Sequence, residues 1–125
     1  MHARRAMLSV ASAALLLTTP SYARQQAATT RRVPQFENEH VRVWKSIIQP
    51  RQPLAMHRHE HPRAVIALTG GELKIVKDSG QSQTVNWETG KAYWLTADPP
   101  NELHADVNDS DRPIEVIVVE LQQVR

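Results

Sequence analysis

Between Phe36 and Leu121 no stretch longer than a turn repeats its apolar residues at helical spacing. The apolar residues come instead in runs of four to nine, each cut by turn formers. Val41–Ile48 is rich in β-branched and aromatic residues and ends at Pro50 and Pro53. Arg63–Leu68 stops at Gly70-Gly71, and Glu72–Lys77 alternates apolar with polar. Asp78-Ser79-Gly80-Gln81 has turn chemistry, so Ser82–Trp87 reads as the returning arm of a hairpin. Ala92–Thr96, Leu103–Val107 and Pro113–Leu121 complete the series, separated by Asp98-Pro99-Pro100-Asn101 and by Asn108–Arg112. About eight short strands at this spacing predict an all-β domain over residues 36–125, a small antiparallel sandwich or barrel. No internal repeat and no second domain is visible.

The segment ahead of this domain has a different grammar. His2, Arg4 and Arg5 form a positive start, residues 6–19 are apolar, and Pro20 breaks the run before Ser21-Tyr22-Ala23. That is the layout of a bacterial signal peptide over residues 1–23, cleaved after Ala23. Arg4-Arg5-Ala6-Met7-Leu8 resembles a twin-arginine signal, with Met7 where Phe is usual; adjacent arginines also occur in ordinary Sec signals, so both routes stay open. Periplasmic or secreted location follows, with no stable membrane anchor after cleavage. Residues 24–35 are polar and aperiodic and read as a flexible leader. Removal of Arg4 and Arg5 with the signal leaves 13 basic against 13 acidic residues. A nucleic-acid partner, which would need clustered Lys and Arg, is not expected. The absence of cysteine excludes disulfides, thiolate metal sites and a thiol nucleophile.

Three histidines, His57, His59 and His61, fall within five residues. On a strand, side chains two apart project to one face, so His57 and His59 could share an ion. The spacing alone fits a surface cluster equally well.

The wider context resembles the cupin family. Its first motif, His-x-His followed by Glu and then Gly, is matched by His57-x-His59, Arg63 and Gly70. Its second, opened by Gly and closed by His and Asn, is matched by Gly90, Pro99-Pro100, His104 and Asn108, with a gap three residues longer than the commonest form. The resemblance spans about Val41–Leu121. It implies a double-stranded jelly-roll barrel and a divalent transition metal (Fe, Mn, Ni or Zn) held by His57, His59 and His104. One position departs from the pattern: Arg63 stands where many cupins carry a metal-binding Glu. A guanidinium has no lone pair to offer an ion, but its planar fork matches a carboxylate.

If Arg63 faces inward, it would bind the anionic group of a small-molecule ligand. If it snorkels to the barrel mouth, the site would be degenerate. Strand parity from Arg63 to Leu68 favours the inward direction, with Val65 and Ala67 on the same face. His61 shares the parity of His57 and His59, but Pro62 leaves its direction open; a further ligand, an outer donor or a rim residue all fit. Glu60 should face away. One of Tyr93 and Trp94 should line the cavity.

Two function classes remain open. One is a metal-dependent enzyme such as an oxygenase, isomerase or decarboxylase; the other is a non-catalytic binding protein on a degenerate site. Val116–Val119 is apolar on both faces, as a strand covered on both sides would be, and a homodimer is expected. The export reading has a direct check: protein recovered from periplasm or medium should begin at or within a few residues of Arg24, and recovery of full-length cytoplasmic chain alone would contradict it.

Overall fold

The computed structural model describes residues 28–122. The signal-peptide segment 1–23 and the first residues of the expected leader lie outside them. Nine strands run in chain order: β1 (Arg31–Glu37), β2 (Val41–Ile48), β3 (Leu54–His57), β4 (Arg63–Thr69), β5 (Gly71–Lys77), β6 (Ser82–Trp87), β7 (Ala92–Leu95), β8 (His104–Val107) and β9 (Ile114–Leu121). They form two antiparallel sheets ordered β1-β2-β9-β4-β7 and β3-β8-β5-β6. Among the described residues no helix is long and apolar enough to cross a membrane.

The core follows from strand parity. Trp44 and Ile48 on β2, Val116 and Val118 on β9, and Val65 and Ala67 on β4 all turn inward. The registers Trp44↔Val118, Ile48↔Ile114 and Val65↔Val118 set these side chains opposite one another. Leu73 and Trp87 face them from the second sheet. Trp87 packs edge-on against Tyr93 with ring centroids 4.6 Å apart, an arrangement that aromatic quadrupoles favour. Tyr93 is therefore the inward member of its pair, its hydroxyl accepting the Glu88 N–H at 2.8 Å. Trp94 is 59% exposed. On the outer face of the sheet, Ile117 and Val119 are only half-buried, beside Ala64 and Ile66.

Close approach fixes one glycine. A Cβ on Gly70 would lie 2.0 Å from the carbonyl oxygen of Trp87, so no larger residue fits where β4 turns into β5. Gly80, with φ of 89°, closes the β5–β6 hairpin in a region side chains disfavour.

β1 corrects the leader reading. Arg31–Glu37 pairs with β2 from Arg31↔Ile47 to Glu37↔Arg42. The segment shows no apolar alternation because it is an edge strand, exposed along nearly its whole length. Its ladder hydrogen bonds, not its side chains, make it a strand. The register slips between Pro34 and Phe36, a bulge where a residue without an N–H is tolerated. Thr30 ties the entry down, donating from Oγ1 to the Gln52 carbonyl and accepting from the Gln49 N–H at 2.9 Å. The folded domain thus begins ahead of Phe36.

Asn108 closes the β8–β9 turn from the interior, at 0% exposure. Its amide donates to the carbonyls of Ile48 at 2.9 Å and Arg112 at 2.7 Å, while Oδ1 accepts from the Ser110 N–H and hydroxyl. All its hydrogen-bonding capacity is used to join β2 to the turn. Asn108→Ala should leave buried carbonyls without donors and destabilise the domain by roughly 2–4 kcal/mol. Chemical denaturation of the two proteins checks this, and a loss below about 0.5 kcal/mol would contradict it.

Candidate metal centre

Three imidazoles meet at one end of the barrel. β3 and β8 pair so that His57 stands directly opposite His104, and their ring centroids are 4.4 Å apart. His59 completes the group at 4.9 Å from His57 and 5.7 Å from His104. One ring nitrogen from each lies within 4.8 Å of the others. Two ligands bonded to one ion at about 2.1 Å are at most about 4.2 Å apart, so small side-chain rotations would close the set.

His57 and His59 reach the same space for a reason other than the one strand parity gives. β3 ends at His57, and His59 lies in the connection to β4. Asp98 fixes that connection: its Oδ2 accepts the His59 N–H at 2.7 Å, and its own N–H donates to the His59 carbonyl at 2.8 Å.

Each imidazole is oriented through Nδ1. In His57 it lies 2.7 Å from the Ala55 carbonyl. In His59 it lies 2.9 Å from Glu120 Oε2, and in His104 it faces Asp98 Oδ2 at 3.4 Å. For His57 and His59 the partner is a hydrogen-bond acceptor, which assigns the proton to Nδ1 and leaves Nε2 with a free lone pair. His104 Nδ1 faces a carboxylate without a hydrogen bond. Among the described residues, His57 Nε2 is buried without a hydrogen-bond partner. A buried polar atom left open in this way fits a site built to receive a cation. His59 and His104 are each 6% exposed. Trp44 forms part of the wall, its indole parallel to the His59 ring at 6.0 Å.

Burial lowers the pKa of both His57 and His104 below the ordinary imidazole value. For His57 it outweighs the opposing Ala55 hydrogen bond and Asp106 charge, and for His104 the opposing Asp98 charge. Burial raises the Asp106 carboxyl despite nearby His57, His59 and Arg63. Burial acts the same way on Glu120, but the His59 hydrogen bond and the charges of His59, Arg42 and Arg63 prevail and hold it low.

Arg63 turns inward and is 7% exposed. It stands opposite Glu120 on β9 and Leu95 on β7. Its guanidinium donates to the Thr96 carbonyl at 3.2 Å and lies 3.9 Å from Asp98 Oδ1. Arg63 lines the same cavity as the three histidines, a space of about 50 Å³. Arg63 and His104 also border a groove of about 250 Å³ next to it, walled by Lys77, Thr96 and Glu102.

His61 is half-buried in the turn before β4 and is not among the residues that could share the ion. Glu60 faces solvent and pairs with Arg58 at 3.3 Å. His40 is exposed beside Glu39.

Four residues of the site went unread in the sequence. Asp98, Glu120 and Asp106 carry carboxylates to the histidines, and Arg32 on β1 reaches the cavity with its guanidinium 4.9 Å from the Trp44 ring centroid. Parity could have found Asp106, two residues beyond His104, and Glu120, in step with Val116 and Val118. Asp98 and Arg32 depend on tertiary placement of a loop and an edge strand.

No protein-family model matches the chain, and no curated protein matches it. Solved structures do. A cupin domain from Bordetella pertussis Tohama I superposes with a TM-score of 0.67 at 24% identity, over 76% of this chain and 95% of that one. A double-stranded β-helix protein of the RmlC-like cupin family from Methanocaldococcus jannaschii gives 0.58 at 15%, over 78% and 84%. A cupin domain of an XRE family transcriptional regulator from Enterobacter cloacae gives 0.56 at 20%, over 78% and 100%. These likenesses establish the cupin-type double-stranded β-helix as the fold.

The two shifted histidines give a measurable expectation. In the metal-free protein, imidazole NMR resonances of His57 and His104 should titrate with midpoints below 6.5, the ordinary value. Protons would then compete for these nitrogens only in acid, and neutral imidazole is the form that binds metal. Midpoints above 6.5 would contradict the burial of the cluster.

Proposed function

We propose that this is an exported cupin-fold protein that binds one divalent transition ion through His57, His59 and His104 and takes a small anionic molecule beside it. The observation that carries the metal reading is the open, buried Nε2 of His57 within a group whose Nδ1 atoms all face acceptors. An imidazole set without thiolate suits Fe, Mn, Ni or Zn. An ion bound there would supply Lewis acidity and a bound water of lowered pKa.

The anionic class is supported by two guanidiniums at the cavity, beside the carboxylates of Asp98, Asp106 and Glu120. Arg63 and Arg32 both border the cavity, and charge-assisted bonds from guanidinium to carboxylate or phosphate are strong and directional. The space around the histidines, about 50 Å³, has room for little more than an ion and a water. The body of the ligand would therefore occupy the adjoining groove of about 250 Å³, with Arg63 and His104 at the boundary. Binding without turnover is the second reading. It is favoured by the engagement of Arg63 with Thr96 and Asp98, which leaves fewer of its donors free.

Protein purified without a tag or chelating resin should contain about one divalent ion per chain, and the His57→Ala/His59→Ala double variant should contain none, since a single imidazole cannot retain the ion. Arg63→Met should weaken binding of simple organic acids by about tenfold or more, the scale of a lost charge-assisted bond. Elemental analysis and calorimetric titration check both. Unchanged metal content in the double variant would contradict the site, and unchanged acid affinity would place Arg63 outside it.

A further inference from the structure

Asp106 stands on β8 two residues beyond His104, so both side chains leave the strand on one face. Its neighbours across the sheet are Leu54 on β3 and Ile75 on β5. The side chain is 15% exposed. Oδ2 lies 3.8 Å from His57 Nε2, and Oδ1 lies 3.8 Å from His104 Nε2.

That distance is too long for a hydrogen bond. It falls within the separation of two ligands sharing one ion, roughly 3.0 Å for bonds of about 2.1 Å meeting at a right angle and roughly 4.2 Å for opposed ones. Asp106 is, however, outside the group whose ligand atoms already lie within 4.8 Å of one another, and the two contacts use different oxygens, so a rotation of its side chain has to bring one oxygen to the ion. Among the described residues, the two histidines are its ion-pair partners within 4 Å, and neither Arg32 nor Arg63 is. A carboxylate this deep, without a cation in contact, is costly unless something positive sits beside it. The atom it faces on His57 is the buried nitrogen that has no partner.

The other carboxylates near the cluster are occupied. Glu120 accepts from His59 Nδ1, and Asp98 accepts the His59 N–H and faces His104 Nδ1. Both sit on the Nδ1 side, away from the nitrogens that remain open. Asp106 alone of the three approaches Nε2 atoms, and it approaches two.

We propose that Asp106 is the fourth protein ligand of the ion, supplying from β8 the carboxylate that Arg63 displaces from β4. This rests on the metal reading of the three histidines. The resulting set of three imidazole nitrogens and one carboxylate oxygen carries one negative charge against the ion's two. It also lets Arg63 occupy its position without leaving the ion short of a ligand, because Arg63 is balanced separately by Asp98.

The test loads the mature chain with Co(II), whose visible bands report its ligands, and compares Asp106→Asn and Asp106→Ser with wild type. The circular dichroism of each variant serves as the control for folding. Both variants should bind Co(II) at least about tenfold more weakly and show displaced visible bands, a change that loss of a merely structural side chain would not produce. Wild-type affinity and wild-type bands in a folded variant would overturn the role of Asp106 while leaving the three-histidine site standing. No uptake by wild type would overturn both. Should neither variant fold, the carboxyl ¹³C spectrum of aspartate-labelled wild type decides the question. A signal displaced by Zn(II), and displaced equally in Asp98→Asn, supports ligation; no displaced signal overturns it.

Discussion

Three imidazoles buried at one end of an apolar barrel have to place six ring nitrogens, and the protein provides acceptors for one nitrogen of each. That constraint organises the whole end of the molecule. The Ala55 carbonyl, Glu120 and Asp98 take the Nδ1 side. The Nε2 side is left to a cavity too small to hold more than an ion and a water. Neutral imidazoles would ordinarily be hydrogen-bonded on both sides when buried. The open side is tolerable where a cation completes it, and the depressed pKa values of His57 and His104 keep their lone pairs free near neutrality.

The barrel makes this arrangement rigid by using registers rather than loops for most of it. His57 and His104 are a cross-strand pair, as are Arg63 and Glu120. The second pair sits where an apolar inward row ends and a charged residue takes the last inward position: Ala67, Val65 then Arg63 on β4, and Val116, Val118 then Glu120 on β9. His59 is the exception, being held from a loop, and Asp98 compensates by clamping that loop through two hydrogen bonds to the His59 backbone, one accepted by its carboxylate and one donated by its own N–H. Arg63, the buried arginine of the two at the cavity, is balanced by Asp98 and so is not left as an uncompensated buried charge.

Much of the fold was legible because its strands alternate or run apolar between turn formers. The limits of β2, β4, β5, β6, β7, β8 and β9 fall within a residue or two of the expected ones, while β3, four residues long, had no expected limits. β1 was not legible. An edge strand that is exposed on most positions has no reason to alternate, so RRVPQFE reads as a leader although its backbone pairs along the length of β2. The histidines were legible from spacing, yet the strand-parity reason for pairing His57 with His59 was not the operative one, since the strand ends between them. The inward direction of Arg63 follows the parity of its strand. The carboxylates were harder: a lone Asp or Glu in a β-rich sequence is usually a solvent-facing residue, and only the register of β8 and β9 turns Asp106 and Glu120 inward.

The central claim is that His57, His59 and His104 converge on a single ion through their Nε2 atoms. Crystals of the protein soaked in a manganese, iron, nickel or zinc salt, with diffraction recorded on both sides of that metal's absorption edge, test it most directly. One anomalous peak per chain, bonded to the three Nε2 atoms at about 2.0–2.1 Å, is the expected result. An anomalous map empty at the cluster, or a peak bound only to exposed side chains such as His40 and Glu39, would contradict it.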